Sequence, residues 1–210
     1  MYSWQQVGVL RRVQSMGRAS REQSELTAAR ILEVAIDAFG SRGFSAVGLE
    51  DVAAAAEVTR GAVYHHFRSK SGLFQAVHAE TQRRVGQAVD DATTGISDPW
   101  EALETGCKTF LEASARADRR QIMLIDAPSV LGWDVWRAQD ADNSGRLLLA
   151  VLTELDAAGL LDVASVPAAN ALLTGAMNEA ALWIATTDTQ VQSTEDAWNT
   201  LRTIIRSLHA

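Results

Sequence analysis

Cysteine, proline and long apolar runs are scarce in this chain, and each scarcity excludes something. One cysteine among 210 residues rules out an internal disulfide and suits a reducing cytoplasm. Three prolines and the want of alternating β-branched runs argue against sheet and for an all-α chain. No apolar stretch reaches the roughly 18 residues of a membrane span, so no membrane partner is expected. Residues 7–10 are too short an apolar run for a signal peptide. Metal-ligand spacings, a nucleophile–base pair and a phosphate-binding glycine loop are also missing. His65 and His66 are adjacent and do not share a helix face. No cofactor, no metal and no enzymatic activity are therefore expected.

What is present is ordinary in bulk and uneven in distribution. Hydrophobic residues make up 47% and charged residues 21%, enough for a packed core in one or two domains. The net charge is −7, the wrong sign for a nucleic-acid binder taken whole. Residues 1–72, however, hold nine Lys/Arg against seven Asp/Glu, and residues 73–210 hold ten against nineteen. A slightly basic end on an acidic remainder concentrates attraction for phosphate at one place.

That basic part contains the most informative stretch, residues 49–74. Glu50 to Ala56 is mostly small and apolar, suited to a short helix that approaches another closely. Glu57-Val58-Thr59 forms a turn, and the Thr59 hydroxyl is placed to cap the next helix. In that helix Val63 and Phe67 lie four apart on the inner edge, leaving Arg60, Gly61, Ala62, Tyr64 and His65 outside. An exposed helix start with an arginine, two small residues, a tyrosine and a histidine fits a DNA major groove. There helix N-termini favour phosphate and arginine reads guanine.

Thr59-Arg60-Gly61-Ala62-Val63-Tyr64-His65-His66-Phe67, followed by Ser69-Lys70-Ser71-Gly72-Leu73-Phe74, resembles the DNA-binding signature of the TetR family of bacterial regulators. The likeness covers about residues 26–74. Two positions depart from it. Glu57 stands where the family has glycine, and a positive φ there carries roughly 1 kcal/mol of strain. Val47-Gly48 replaces a Thr or Ser, leaving Gly48 as N-cap without a hydroxyl for phosphate. The resemblance implies a homodimer on a palindromic double-stranded DNA operator, released by a small-molecule effector. It also implies that the fourth helix carries effector occupancy to the two DNA-reading heads. Phosphate is expected at Lys70 and Tyr64, and a base at Arg60.

The whole chain reads as an N-terminal three-helix helix-turn-helix head on a larger helical body. The expected divisions are 1–24, a basic extension; 25–72, the DNA-binding domain; and 73–210, the ligand-binding and dimerisation domain. The extension is a disordered tail, a basic arm on DNA, or a stretch lying ahead of a natural start at Met16. Residues 26–41 form the first helix, with Gly43 as its stop and Phe44 packing back. The fourth helix spans about 71–92, and Asp98-Pro99 starts the next. A break is expected at Ala127-Pro128, and Ser193 with Asp196 suggests a capping box for the last helix.

Body aromatics suggest a mainly hydrophobic effector pocket. Trp100, Cys107, Phe110, Met123, Trp133 and Trp136 are its candidate walls, with Met177 and Trp183 from a later helix. Asp126 and Asn178 are the candidate polar orienters. For each one alone, ordinary core packing is the competing reading. An anionic effector would call on Arg116 or Arg120. The last two helices, through Leu172, Ala176, Trp198, Leu201, Ile205 and Leu208, are the candidate dimer interface. Two other readings stay open: an all-α small-molecule binding protein or enzyme that uses the cavity without DNA, and an activator with the same fold.

Overall fold

The computed structural model describes the backbone over residues 4–187 and 189–210, and side chains from residue 21 onward except 188. Within these residues every regular element is helical, and the only β pairing is one bridge between Leu161 and His209 near the C-terminus. The first helix, α1, is Trp4–Ala46 and kinks at Gly43. It thus begins well before the expected residue 26, so the backbone has no break at 24. The side chains of the expected extension lie mostly outside the described residues. Next come α2 (Leu49–Ala55), α3 (Arg60–Phe67) and α4 (Lys70–Thr93).

The turns of the head follow from single residues. Gly43 adopts φ 76°, a conformation that costs a Cβ-bearing residue and suits glycine. Phe44 then folds back onto Phe39 and Phe74, with ring centroids 5.9 and 5.1 Å away. Thr59 caps α3 by accepting from the Ala62 N–H at 3.1 Å, and Ser69 caps α4 from the Gly72 N–H at 2.9 Å. Glu57 has the expected positive φ, at 52°. Arg30 of α1 holds this strained residue twice, donating to its carbonyl at 3.1 Å and pairing with its carboxylate at 3.6 Å. The head's core is Ile31, Ala35, Phe39, Val52, Val63 and Phe74, all fully buried.

The body begins where α4 leaves the head. Running 24 residues without interruption, α4 spans about 36 Å and passes straight through the expected boundary at 72/73. Its buried rows are Leu73, Val77, Thr81, Val85 and Val89, with Phe74, His78, Gln82 and Gly86 beside them. The row ends on Val89, and Ala92 is exposed. Against it pack α5 (Pro99–Ala115) and α9 (Ser144–Ala157); α10 (Val166–Ala185) packs on α5 and α9, and α11 (Gln190–Arg206) lies on α10 and α5. Asp98 caps α5 as expected, accepting from the Trp100 N–H. The expected capping box at Ser193 is absent because α11 already starts at Gln190. Ser193 sits one turn inside, donating to the Thr189 carbonyl at 3.0 Å.

Between α5 and α9 lie α6 (Ala117–Arg120), a π-helical segment (Gln121–Asp126), α7 (Ala127–Leu131) and α8 (Trp133–Asp142). The chain does not break at Ala127-Pro128. It widens instead, and the Ala127 N–H bonds to the Ile122 carbonyl five residues back. The wider turn relieves the clash a proline makes with the preceding turn. It also strands the Met123 carbonyl, whose next donor in that ladder would be Pro128, which has none. Trp136 Nε1 fills the vacancy at 2.8 Å. The actual break comes at Gly132, between α7 and α8.

Candidate functional site

The outer face of α3 stands free. Thr59, Arg60, Gly61, Tyr64 and His65 are exposed and Ala62 is half-buried, while Val63 on the reverse is fully buried. Two glycines in this part of the head differ in what surrounds them. A Cβ on Gly72 would stand 2.2 Å from the Phe67 carbonyl oxygen, so the fold itself requires glycine there. A Cβ on Gly61 would meet nothing among the described residues closer than the Thr59 hydroxyl, at 3.7 Å. The fold therefore leaves the outer side of α3 open at Gly61.

Charges around this face are arranged for exchange. Arg60 is held by Glu50 of α2 at 2.7 Å, both partners more than 60% exposed. Such a surface pair contributes about 0–1 kcal/mol. Lys70 is half-buried. Its ammonium lies 4.3 Å from the centre of the Phe44 ring and donates to the Ser45 carbonyl at 3.4 Å. The lysine thereby ties the start of α4 to the chain just past the α1 kink, and retains donors for a phosphate. Gly48 is the N-cap of α2, with its N–H satisfied by Asp51 at 2.9 Å.

The body contains a cavity of about 240 Å³ between α4, α5, α9 and α10. Val89 and Thr93 of α4, Leu103, Gly106, Cys107 and Phe110 of α5, Ser144, Gly145, Leu148 and Val151 of α9, and Thr174 and Met177 of α10 line it. Of the ten pocket residues expected from sequence, Cys107, Phe110 and Met177 are there, and no tryptophan is. Trp100 stacks on His209 at 3.6 Å, Trp133 and Trp183 are exposed at 62% and 45%, and Trp136 serves the Met123 carbonyl. Met123 is wholly core, and Asn178, though buried, is not in the wall. The walls are mainly small and aliphatic residues rather than tryptophans. Burial, and then the nearby Glu104, push the Cys107 thiol up to about 12, so it stays neutral. Neither Arg116, paired with Asp118, nor Arg120, donating to the Ala115 carbonyl, reaches the cavity.

Asp126 does different work from that expected of it. Its Oδ2 accepts from the Phe44 N–H at 2.7 Å and from Gln121 Nε2 at 3.1 Å. Because Gly43 leaves the helical ladder, the Phe44 N–H needs a new acceptor, and the π-helical segment of the body supplies it. A second tie joins Arg84 of α4 to Glu33 of α1 and to Glu80. Head and body are thus latched at two places beside the α1–α4 contact.

On α10, Leu172, Gly175, Ala176 and Trp183 are exposed on one side, and α11 adds exposed Val191 and half-buried Trp198. Two of the expected interface residues, Leu201 and Ile205, face the other way and are buried in the subunit at 4% and 0%. They belong to the row that seats α11 on its own body. Leu208 is half-buried.

The head, residues 31–77, matches the family model for bacterial regulatory proteins of the tetR family, and residues 100–208 match that for the tetracyclin repressor-like C-terminal domain. The chain belongs to the TetR family. It is 31% identical over 110 residues to the HTH-type transcriptional regulator AcrR of Shigella flexneri, covering 52% of this chain and 51% of that protein. Against the TetC protein of transposon Tn10 of Escherichia coli it is 30% identical over 115 residues, 55% of each. These matches span about half the length of the curated relatives. Among solved structures, a TetR-family regulator of Pectobacterium atrosepticum superposes with a TM-score of 0.76 at 28% identity, covering 90% of this chain and 97% of that one. PfmR of Thermus thermophilus superposes at 0.58 with 22% identity, covering 84% and 97%. The family is one of transcriptional regulators, not enzymes.

Proposed function

We propose that this protein is a sequence-specific transcriptional repressor that binds a palindromic operator as a homodimer and releases it when a small molecule fills the body cavity. The observation that carries the reading is the α3 face, where Arg60, Gly61, Tyr64 and His65 stand outward from a helix anchored by Val63. Arg60 exchanges Glu50 for a guanine edge, and Tyr64 and Lys70 take phosphates. The apolar side of α10 and α11, with Leu172, Ala176, Trp183 and Trp198, is the dimer seam. Such a seam sets two heads at the spacing a palindrome needs. The single buried Cys107 suits a cytoplasmic site of action.

Support for the switch comes from α4, which joins the two sites. Its first turn is capped inside the head by Ser69, and its last turns, through Val89 and Thr93, form a wall of the cavity. A ligand there acts on the head only by binding one position of α4 better than the other. The test is selection from a random duplex pool with purified protein at two salt concentrations. Enrichment of a palindrome with steep salt dependence is expected. Failure to enrich any sequence at either salt overturns the reading.

A further inference from the structure

Resting on the effector-relieved reading above, we infer the chemical class of the effector: a compact, uncharged, mainly apolar molecule of about ten heavy atoms with one hydrogen-bonding group. Volume sets the size. A dry cavity of about 150 Å³ takes a benzene ring, and this one, at about 240 Å³, has room for a fused bicycle. Charge sets the second limit. Among the described residues the wall contains no lysine, arginine or histidine, and its one carboxylate, Glu154, is exposed at the edge. A buried carboxylate or phosphate would therefore lie unpaired, which an apolar enclosure strongly disfavours. Burial holds the Cys107 thiol neutral, so it offers no anion to a cationic ligand either.

The hydrogen-bonding group follows from the hydroxyls in the wall. Ser144, at the first turn of α9, is 8% exposed, and its Oγ is buried with no hydrogen-bond partner among the described residues. Thr174, on α10 across the cavity, is 6% exposed. A buried hydroxyl without a partner costs free energy that a ligand donor or acceptor recovers. Ser144 also bears on the switch, since Gly86 of α4 packs against Asn143 and Ser144, with contact distances of 3.5–3.6 Å for a Cβ placed there. A ligand engaging Ser144 thus sits against the helix that carries the head.

Isothermal titration of the full chain, without DNA, tests this with four probes of one shape: 2-naphthol, naphthalene, 2-naphthoate and 2-naphthylmethylammonium. The expected order is 2-naphthol tightest, naphthalene about tenfold weaker, and the two ions without measurable heat. Ser144→Ala combined with Thr174→Val is expected to weaken 2-naphthol about tenfold and leave naphthalene unchanged. Gly106→Leu, which fills the space between α5 and α4, is expected to abolish both. Binding of either ion as tight as 2-naphthol, indifference of 2-naphthol to the double variant, or no binding of any probe overturns the assignment. These titrations read the cavity alone and the duplex selection reads the head alone, so one can fail without the other.

Discussion

In the head, the side chains assigned to a partner stand in solvent on a helix whose other side is core. In the body, the side chains around the cavity are mostly apolar and continuous with the groups that hold the subunit together. Arg60, Tyr64 and His65 can change with little effect on folding, because the core beneath them is Val63 and Phe74. Gly145, Leu148 and Met177 cannot, because they shape the cavity and the fold at once. A surface that reads DNA is free to vary by sequence, whereas a cavity is changed by repacking.

The largest expected effect separates the inward and outward sides of the last two helices. Leu201→Asp puts a charge at a position 4% exposed and is expected to cost about 4 kcal/mol or more, unfolding the subunit. Leu172→Asp lies at a position 74% exposed and is expected to leave the fold within about 0.5 kcal/mol while splitting the dimer. Urea unfolding and sedimentation of both variants check this. A dimeric Leu172→Asp rejects the seam on α10.

The next contrast is within the head. Gly72→Ala forces a methyl to 2.2 Å from the Phe67 carbonyl and is expected to destabilise by about 2–3 kcal/mol. Gly61→Ala meets only an ordinary contact with Thr59 and is expected to stabilise α3 by up to about 1 kcal/mol, yet weaken operator binding about tenfold by closing the approach. Thermal unfolding and operator titration read the two separately. An unchanged operator affinity for Gly61→Ala removes that glycine from the interface.

Much of the head was legible because its motif is local. Thr59 capping three residues on, Val63 buried, and a positive φ at Glu57 each depend on neighbours within a turn or two. The body was legible in its helix pattern but not in its cavity. Trp133, Trp136 and Trp183 sit on body helices as expected, yet a hydrophobic period does not say whether an aromatic fills a core, meets solvent or repairs a stranded carbonyl. The role of Trp136 follows from a π-turn thirteen residues earlier. That of Asp126 follows from the Phe44 N–H, 82 residues away, and no local pattern contains it. Leu201 and Ile205 were assigned to the seam from the apolar stripe of α11, which instead seats the helix on its own subunit.

Asp126 gives the next prediction, at the junction of the two regions. Asp126→Ala removes the acceptor of the Phe44 N–H and is expected to cost about 1.5–3 kcal/mol, as for a hydrogen bond to a charged group. Amide exchange at Phe44 should quicken accordingly, while the cavity's affinity for 2-naphthol stays as it was. If Phe44 remains protected, head and body are held together elsewhere.

The smallest effect concerns the other latch and depends on pH. The Arg83 guanidinium, helped by Arg84, holds the Glu80 carboxyl down at about 2 against an ordinary 4.5. Because the folded state binds this proton less readily than the unfolded chain, the latch's contribution is complete above pH ~4.5 and fades as pH falls toward ~2. Glu80→Gln should therefore lower stability modestly at neutral pH and make the acid limb of the stability curve shallower between those values. Urea midpoints measured from pH 7 down to pH 2 would show the two curves converging. Parallel curves would mean that Arg84 is held by Glu33 alone, and that Glu80 serves only the surface of α4.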